Sequence, residues 1–434
     1  MKLKCLVLVV LFAGASVGAD WPEFRGPQGN GHAAAKDLPV HWSDKVNVRW
    51  RTEIAGRGWS SPVIEGDRIW MTTAIEIPLT DEERAKLEAN KGGEPTTMVG
   101  RLKLRAVGVD RTSGKVVLDR ELLEVSKPDP VHALNSFASP TPVIEDGKLY
   151  CHFGTNGTVC LDTKTQQIVW TNEELRIRHE NGPGSSPILW GDLLIVHCDG
   201  SDLQYIVALD KHTGKIAWKT DRTGKLNENP QLKKAYGTPL VVNVDQKPLL
   251  LSPGADWLYA YDPATGKEAW RLSYEAQGFS IVPRPVAGHG MLYFSTSFMQ
   301  PEILAVKLGG KQSEIAWRFK KQAPQMPSPL LVGDELYLVS DKGIATCLDA
   351  KTGEVHWSER LGGNFSSSPI YADGRIYVGN REGNTFVIAP GKAYKLLATN
   401  ALEGSIMAAP AAIDQVIYLR TDKALYALQK LTTE

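Results

Sequence analysis

Apolar and polar residues alternate in short runs along nearly the whole chain, and the runs are separated by turns rich in Asp, Gly and Thr. In "LYAYDPATGKEAW", which ends at Trp270, "YAYD" and "KEAW" each read as a strand with one buried and one solvated face. The turn between them carries its own chemistry. An Asp carboxylate can accept from a backbone N–H two residues on, and Gly takes the left-handed conformation that closes a tight hairpin. The same sentence recurs as "DRTSGKVVL" at 110, "DTKTQQIVW" at 162, "DKHTGKIAW" at 210 and "DAKTGEVHW" at 349, with a degenerate "GGKQSEIAW" at 309.

A second hairpin precedes each copy: a Pro after a small residue, an apolar strand, a Gly or Asp turn and another strand, as in "SSPILWGDLLIVHC" ending at Cys198. The anchoring prolines are Pro62, Pro142, Pro187, Pro239, Pro285, Pro329, Pro369 and Pro410. Eight units of four short strands predict an all-β fold, a single eight-bladed β-propeller of four-stranded blades. The eighth unit ends at "ALYALQKLTTE" without an outer strand, while "NVRWRTE" at 47–53 resembles the outer strand "KIAWKT". The N-terminal strand is therefore expected to complete the last blade. Closure removes exposed strand edges, which favours a monomer.

Trp50, Trp170, Trp218, Trp270, Trp317 and Trp357 occupy one repeat position on the outer strands. They are expected to wedge against neighbouring blades as structural residues rather than to form a stacking platform. An insertion, "IEIPLTDEERAKLEANKGGEPTTMVG" at 75–100, interrupts the first unit. Thr80 with Glu83 forms a capping box, and Lys91-Gly92 suits a helix end, so a short helix is expected on the loop-rich face beside the channel mouth.

Residues 1–19 run from lysines through an apolar stretch to Val17-Gly18-Ala19, the order of a secretory signal peptide cut after Ala19. The domain would then span 20–434, exported to the periplasm or beyond, with no membrane span. Lys plus Arg and Asp plus Glu each number 49, which argues against a nucleic-acid binder. Cys151, Cys160, Cys198 and Cys347 form no metal, haem or vicinal-disulfide motif. Cys151 and Cys160 flank a hairpin loop symmetrically, so a disulfide between them is possible. Cys160 and Cys347 share a slot that reads as small buried core.

The D-x-x-T-G-K-x-x-W repeat after S-P-V-I-x-x-G-x-[IL]-Y resembles the pyrroloquinoline-quinone (PQQ) type propeller repeat over nearly the whole chain. That family includes quinoprotein dehydrogenases and non-catalytic relatives such as the BamB-type outer-membrane assembly factor. The opening "DWPEFRGPQGNG" resembles that of exported bacterial members, with Trp21 and Phe24 expected to pack it against the propeller. In the dehydrogenases, the resemblance implies PQQ between a Trp and a vicinal disulfide, beside calcium. This chain has no adjacent cysteines.

Strand order sorts the loops onto two faces, with the "DxxTG" turns on one. The other face gathers Arg57, Trp59, Asn135, Phe137, His179, Glu180, Tyr236, Trp257, Arg284, Asn364 and Phe365, and its aromatics and arginines suit recognition. His179 beside Glu180 could serve as acid and base, "DGSD" at 199–202 offers oxygen ligands for calcium, and His152 and His197 share a slot in adjacent blades. No nucleophile or third ligand accompanies any of these. The sequence therefore favours a non-catalytic exported scaffold without a cofactor, binding a protein or envelope component. The alternative is a PQQ- and calcium-dependent dehydrogenase of alcohols or sugars.

Overall fold

A computed structural model describes residues 20–88, 96–275, 278–309 and 313–431. Eight four-stranded antiparallel sheets follow one another as blades 1 to 8 of a propeller. Their inner strands are Val63–Glu65, Val143–Glu145, Ile188–Trp190, Leu240–Val244, Val286–Gly288, Leu330–Val332, Ile370–Ala372 and Ala411–Ile413. Each begins immediately after an anchoring proline. Blade 8 takes its outer strand from Val48–Glu53, which pairs antiparallel with Ala424–Gln429 and closes the ring.

The repeat motif joins adjacent blades through its outer-strand Trp. The indole N–H of Trp50, Trp170, Trp218, Trp317 and Trp357 donates to a backbone carbonyl in the next blade, at Arg111, Lys211, Pro263, Ala350 and Gly391, over 2.9–3.1 Å. In four of these the ring lies directly on the turn glycine. A Cβ on Gly114, Gly214, Gly266 or Gly353 would come within 2.4–2.8 Å of the indole above it. The glycine thus serves both its positive φ and the approach of a neighbouring Trp. The turn Asp works as the sequence suggests, Asp210 accepting from the N–H groups of His212 and Thr213. The turn opposite Trp270 falls partly outside the described residues.

Across the sheet each Trp faces a small residue. Trp50, Trp218, Trp270 and Trp317 pair with Ala427, Ala208, Ala260 and Ala305, while Trp170 and Trp357 pair with Cys160 and Cys347. That explains the shared cysteine slot. A β-bulge follows at the same place in each blade, which increases the local twist.

The possible Cys151–Cys160 disulfide does not form. Cys151 pairs with Val159 and Cys160 with Tyr150, so the two thiols lie one register step apart on opposite faces of blade 2. All four described cysteines are free and buried.

The blade 1 insertion extends a ten-residue pairing between Arg68–Ile77 and Arg101–Asp110. Helix Asp81–Glu88 follows, its Thr80 and Glu83 bonded reciprocally as a capping box. The expected helix end at Lys91-Gly92 lies outside the described residues, as does the 1–19 segment. Thr96–Thr97 returns to pair with Val131–His132 on the loop-rich face.

Candidate ligand-binding channel

The residue before each anchoring proline stitches the inner strands together. Its backbone N–H donates to the hydroxyl of the equivalent residue in the next blade: Ser61 to Thr141, Thr141 to Ser186, Ser186 to Thr238, Arg284 to Ser328, Ser328 to Ser368, and Ala409 to Ser61, over 2.9–3.1 Å. The ring breaks twice, where Arg284 and Ala409 stand in place of a hydroxyl residue. An extended strand alternates its faces, so the residue two positions earlier also faces the axis. Trp59, Ser139, Gly184, Tyr236, Val282, Met326, Ser366 and Met407, one from each blade, line a central cavity of about 630 Å³ at the loop-rich face.

The opposite end of the channel is stopped by the N-terminal segment. Trp21 pairs with Ile64 of blade 1, Ile144 of blade 2 donates to Pro22 O, and His32–Ala33 adds a parallel strand to Tyr371–Ala372 of blade 7. Between these points Arg284 of blade 5 reaches inward, donating to Phe24 O at 2.5 Å and pairing with Glu23 at 3.0 Å. Phe24 belongs to the wall of the larger cavity, whereas Pro22 and Glu23 line a smaller one of about 450 Å³ on the other side. The channel is therefore blind. Burial pushes the Glu23 carboxyl up, an effect Arg284 only partly offsets. Burial and repulsion by Arg284 push the neighbouring Arg25 guanidinium down to about 9.

The structure divides the residues expected on this face. Trp59, Asn135, Tyr236 and Asn364 line the cavity. Arg57 stands behind Trp59, its guanidinium 5.3 Å from the ring centre. Phe137 and Phe365 are not on the surface: they sit in the blade cores at 1% and 0% exposure. Both lie far enough before their prolines for the loop to turn them inward. Arg284 is buried and holds the N-terminal segment rather than facing solvent. Trp257 packs under Lys225, donating to its carbonyl at 3.0 Å, and lies outside the cavity wall.

His179 and Glu180 do not form an acid–base pair. The His179 ring is buried beneath Tyr236, its Nε2 accepts from the N–H of Thr155 at 3.1 Å, and desolvation pushes it down to about 4. Glu180 points elsewhere and accepts from Ser201 at 2.8 Å. In the "DGSD" stretch, Asp199 pairs with Arg222 at 3.0 Å and with His197 at 2.9 Å, and Asp202 accepts from the N–H of Arg178. His152 instead bonds Thr158 at 2.8 Å, so the two histidines of the shared slot serve separate local networks.

Sequence reasoning missed Phe279, Phe298, Met326, Met407, Lys234 and Asp341, all in the cavity wall. For the two methionines the signal was present, since both stand three residues before an anchoring proline. The others come from loops whose reach no local pattern sets.

A family model described as outer membrane protein assembly factor BamB matches residues 65–220 and 204–433. The chain belongs to this family. Among curated relatives, the BamB of Legionella pneumophila (strain Paris) is 25% identical over 211 residues, 46% of this chain and 49% of that one. The quinohemoprotein alcohol dehydrogenase ADH-IIG of Pseudomonas putida is 26% identical over 252 residues, 50% of this chain and 31% of that one. The match thus spans less than half the length of either relative. Among solved structures, BamB from Moraxella catarrhalis superposes with a TM-score of 0.53 at 15% identity, covering 83% of this chain and 99% of that one. A europium-containing methanol dehydrogenase gives 0.54 at 10% identity, covering 94% and 90%. At these identities the structural likeness establishes the propeller fold alone.

The dehydrogenase likeness allows a direct test of fit for quinone and calcium. The wall of the family's central channel here carries one carboxylate, Asp341, whose Oδ2 already accepts from the N–H of Gln325. Among the described residues no three His, Cys, Asp or Glu side chains gather to hold a metal. The cysteines lie inside the blades, away from the channel. These residues do not fit the quinone-and-calcium arrangement. The wall hydroxyls Ser61, Thr141, Ser186, Thr238, Ser328 and Ser368 are committed to the ring of blade contacts, and His132 accepts from the N–H of Leu134.

Proposed function

We propose that this chain is an exported, non-catalytic scaffold that holds a protein partner at the open mouth of its blind channel. One observation carries the reading: an aromatic- and methionine-lined cavity opens on the loop-rich face, and the hydroxyls that ring it are tied into contacts between blades instead of an acid, base and nucleophile set. At its edge Leu134 is 43% exposed and Met299, beside the wall residue Phe298, is 71% exposed. Apolar side chains exposed around a concave site are a feature of binding surfaces. Family membership supports the same reading, because relatives carry the name of outer-membrane assembly factors. The basic, apolar and small-residue order of 1–19 supports export.

The test places a photo-crosslinking residue at Leu134 and, as a control, at Lys164 on the opposite face. The expected result is one defined envelope protein captured from Leu134 alone and lost in Trp59→Ala. In parallel, purified protein is mixed with PQQ and calcium, passed over gel filtration and assayed for dye reduction with alcohols and sugars. Stoichiometric quinone retention with turnover would overturn the scaffold reading in favour of a dehydrogenase.

A further inference from the structure

The cavity wall is not electrically neutral. It carries Lys234, Lys342 and Arg381 against the single carboxylate of Asp341. Arg381 is the informative member. Its Nε donates to Ser366 Oγ at 2.8 Å and its Nη2 approaches only the soft sulfur of Met326, at 3.9 Å. Among the described residues it forms no ion pair. Burial pushes this guanidinium down, and the nearby charges of Asp341 and Glu382 only partly offset that. Of the acidic groups around it, Glu382 accepts from the backbone and side chain of Asn364, while Asp341 accepts from Gln325 through Oδ2 alone; its Oδ1 is buried without a hydrogen-bond partner and burial pushes its carboxyl up, so neither carboxylate closes an ion pair with Arg381. A half-buried guanidinium without a carboxylate carries a desolvation cost that an incoming anion would offset.

Shape narrows which anion this is. The channel is closed by the Phe24 segment, so an occupant must enter and stop. An internal loop of a partner would need room for two chain strands, entering and returning, whereas a chain end needs room for one. Of the two chain ends only the C-terminus is negative, and a partner ammonium would meet three cations. Elsewhere on the same wall, Phe279 and Phe298 are cross-strand neighbours with ring centres 6.4 Å apart and planes tilted by 46°, an apolar surface for a side chain to pack on.

We propose that the channel captures the C-terminal carboxylate of a partner protein, with Arg381 on the carboxylate and an apolar side chain near the chain end against Phe279 and Phe298. This rests on the scaffold reading and specifies its partner chemistry. Arg presents a planar fork that matches a carboxylate bidentately.

The experiment uses the full protein on two arrays of random hexapeptides, one tethered through the N-terminus to leave the carboxylate free, the other tethered through the C-terminus. Binding is expected only on free-carboxylate peptides, enriched for apolar residues in the last two positions. Amidating the selected peptides should weaken binding about tenfold or more. Arg381→Met should remove the difference between acid and amide, and Arg381→Lys should restore part of it. Phe279→Ser should weaken acid and amide alike. Unchanged thermal midpoints for the variants exclude a folding defect. Equal binding in both tether directions, an Arg381→Met variant that still prefers the acid, or no binding on either array would overturn the inference. If Leu134 still crosslinks its partner in that case, the scaffold reading stands without it; loss of both removes both.

Discussion

Arg284→Met separates the role of the channel plug from that of the blades. The change keeps the length of the side chain but removes the 3.0 Å pair with Glu23 and the hydrogen bond to Phe24 O. The Arg284 side chain is 2% exposed and that of Glu23 15%, so Glu23 would be left as a largely buried carboxylate without its cation. Removing one partner of such a pair costs about 3–5 kcal/mol. The size should depend on pH in a defined direction. Glu23 is already raised above its ordinary value in the fold, and losing Arg284 raises it further. A group raised in the folded state contributes most below its unfolded value, near 4.5, and that contribution is lost as pH climbs through the folded value. As pH falls toward the unfolded value, Glu23 in the variant takes up its proton and needs the guanidinium less, so the penalty at pH 5 shrinks toward that of the lost charged hydrogen bond, about 1.5–3 kcal/mol. Relief of the repulsion on Arg25 offsets a little of either figure. Urea unfolding followed by tryptophan fluorescence at pH 5 and pH 8 measures both. Glu23→Gln combined with Arg284→Met should show a nearly pH-independent cost. A penalty below about 1 kcal/mol at pH 8, or one larger at pH 5 than at pH 8, would refute the reasoning.

Gly214→Ala should destabilise through its φ of +72° and a Cβ 2.5 Å from Trp170, and combining it with Trp170→Ala should add less than the sum of the two, as read by denaturant midpoints. Trp170→Ala alone should cost about 3–5 kcal/mol. The four described thiols should resist a soluble thiol reagent in the native protein and all react in denaturant without reductant, because they are free, buried and pushed up by desolvation. His179, pushed down to about 4, and His152, pushed down to about 3, stay neutral in the fold, so their contribution holds above about pH 6.5 and falls away on acidification; the His179 ring resonances should not titrate above pH 5.

The repeat determined the architecture because its information is local. Asp, Gly and the alternation around them specify a hairpin, eight prolines count the blades, and the lone "NVRWRTE" strand has one empty place to fill. The register of channel-facing positions was also legible, as residues one and three before each proline, since an extended strand alternates without tertiary help. Trp59 and Tyr236 stand on that register. Phe137 and Phe365 stand outside it, and their side chains went to the core because hydrophobic burial outweighs loop position. What tertiary structure alone decided was every contact between distant segments. Nothing near Arg284 in sequence announces Glu23, 261 residues away; only ring closure brings the N-terminal segment beneath blade 5. Likewise Cys160 is small because Trp170 lies across from it in the sheet, and Gly214 lacks a Cβ because the same indole lies over the next turn. Arg381 looks like any loop arginine until the fold buries half of it without a carboxylate. Burial and partnership are properties of the closed ring, and a one-dimensional pattern does not contain them.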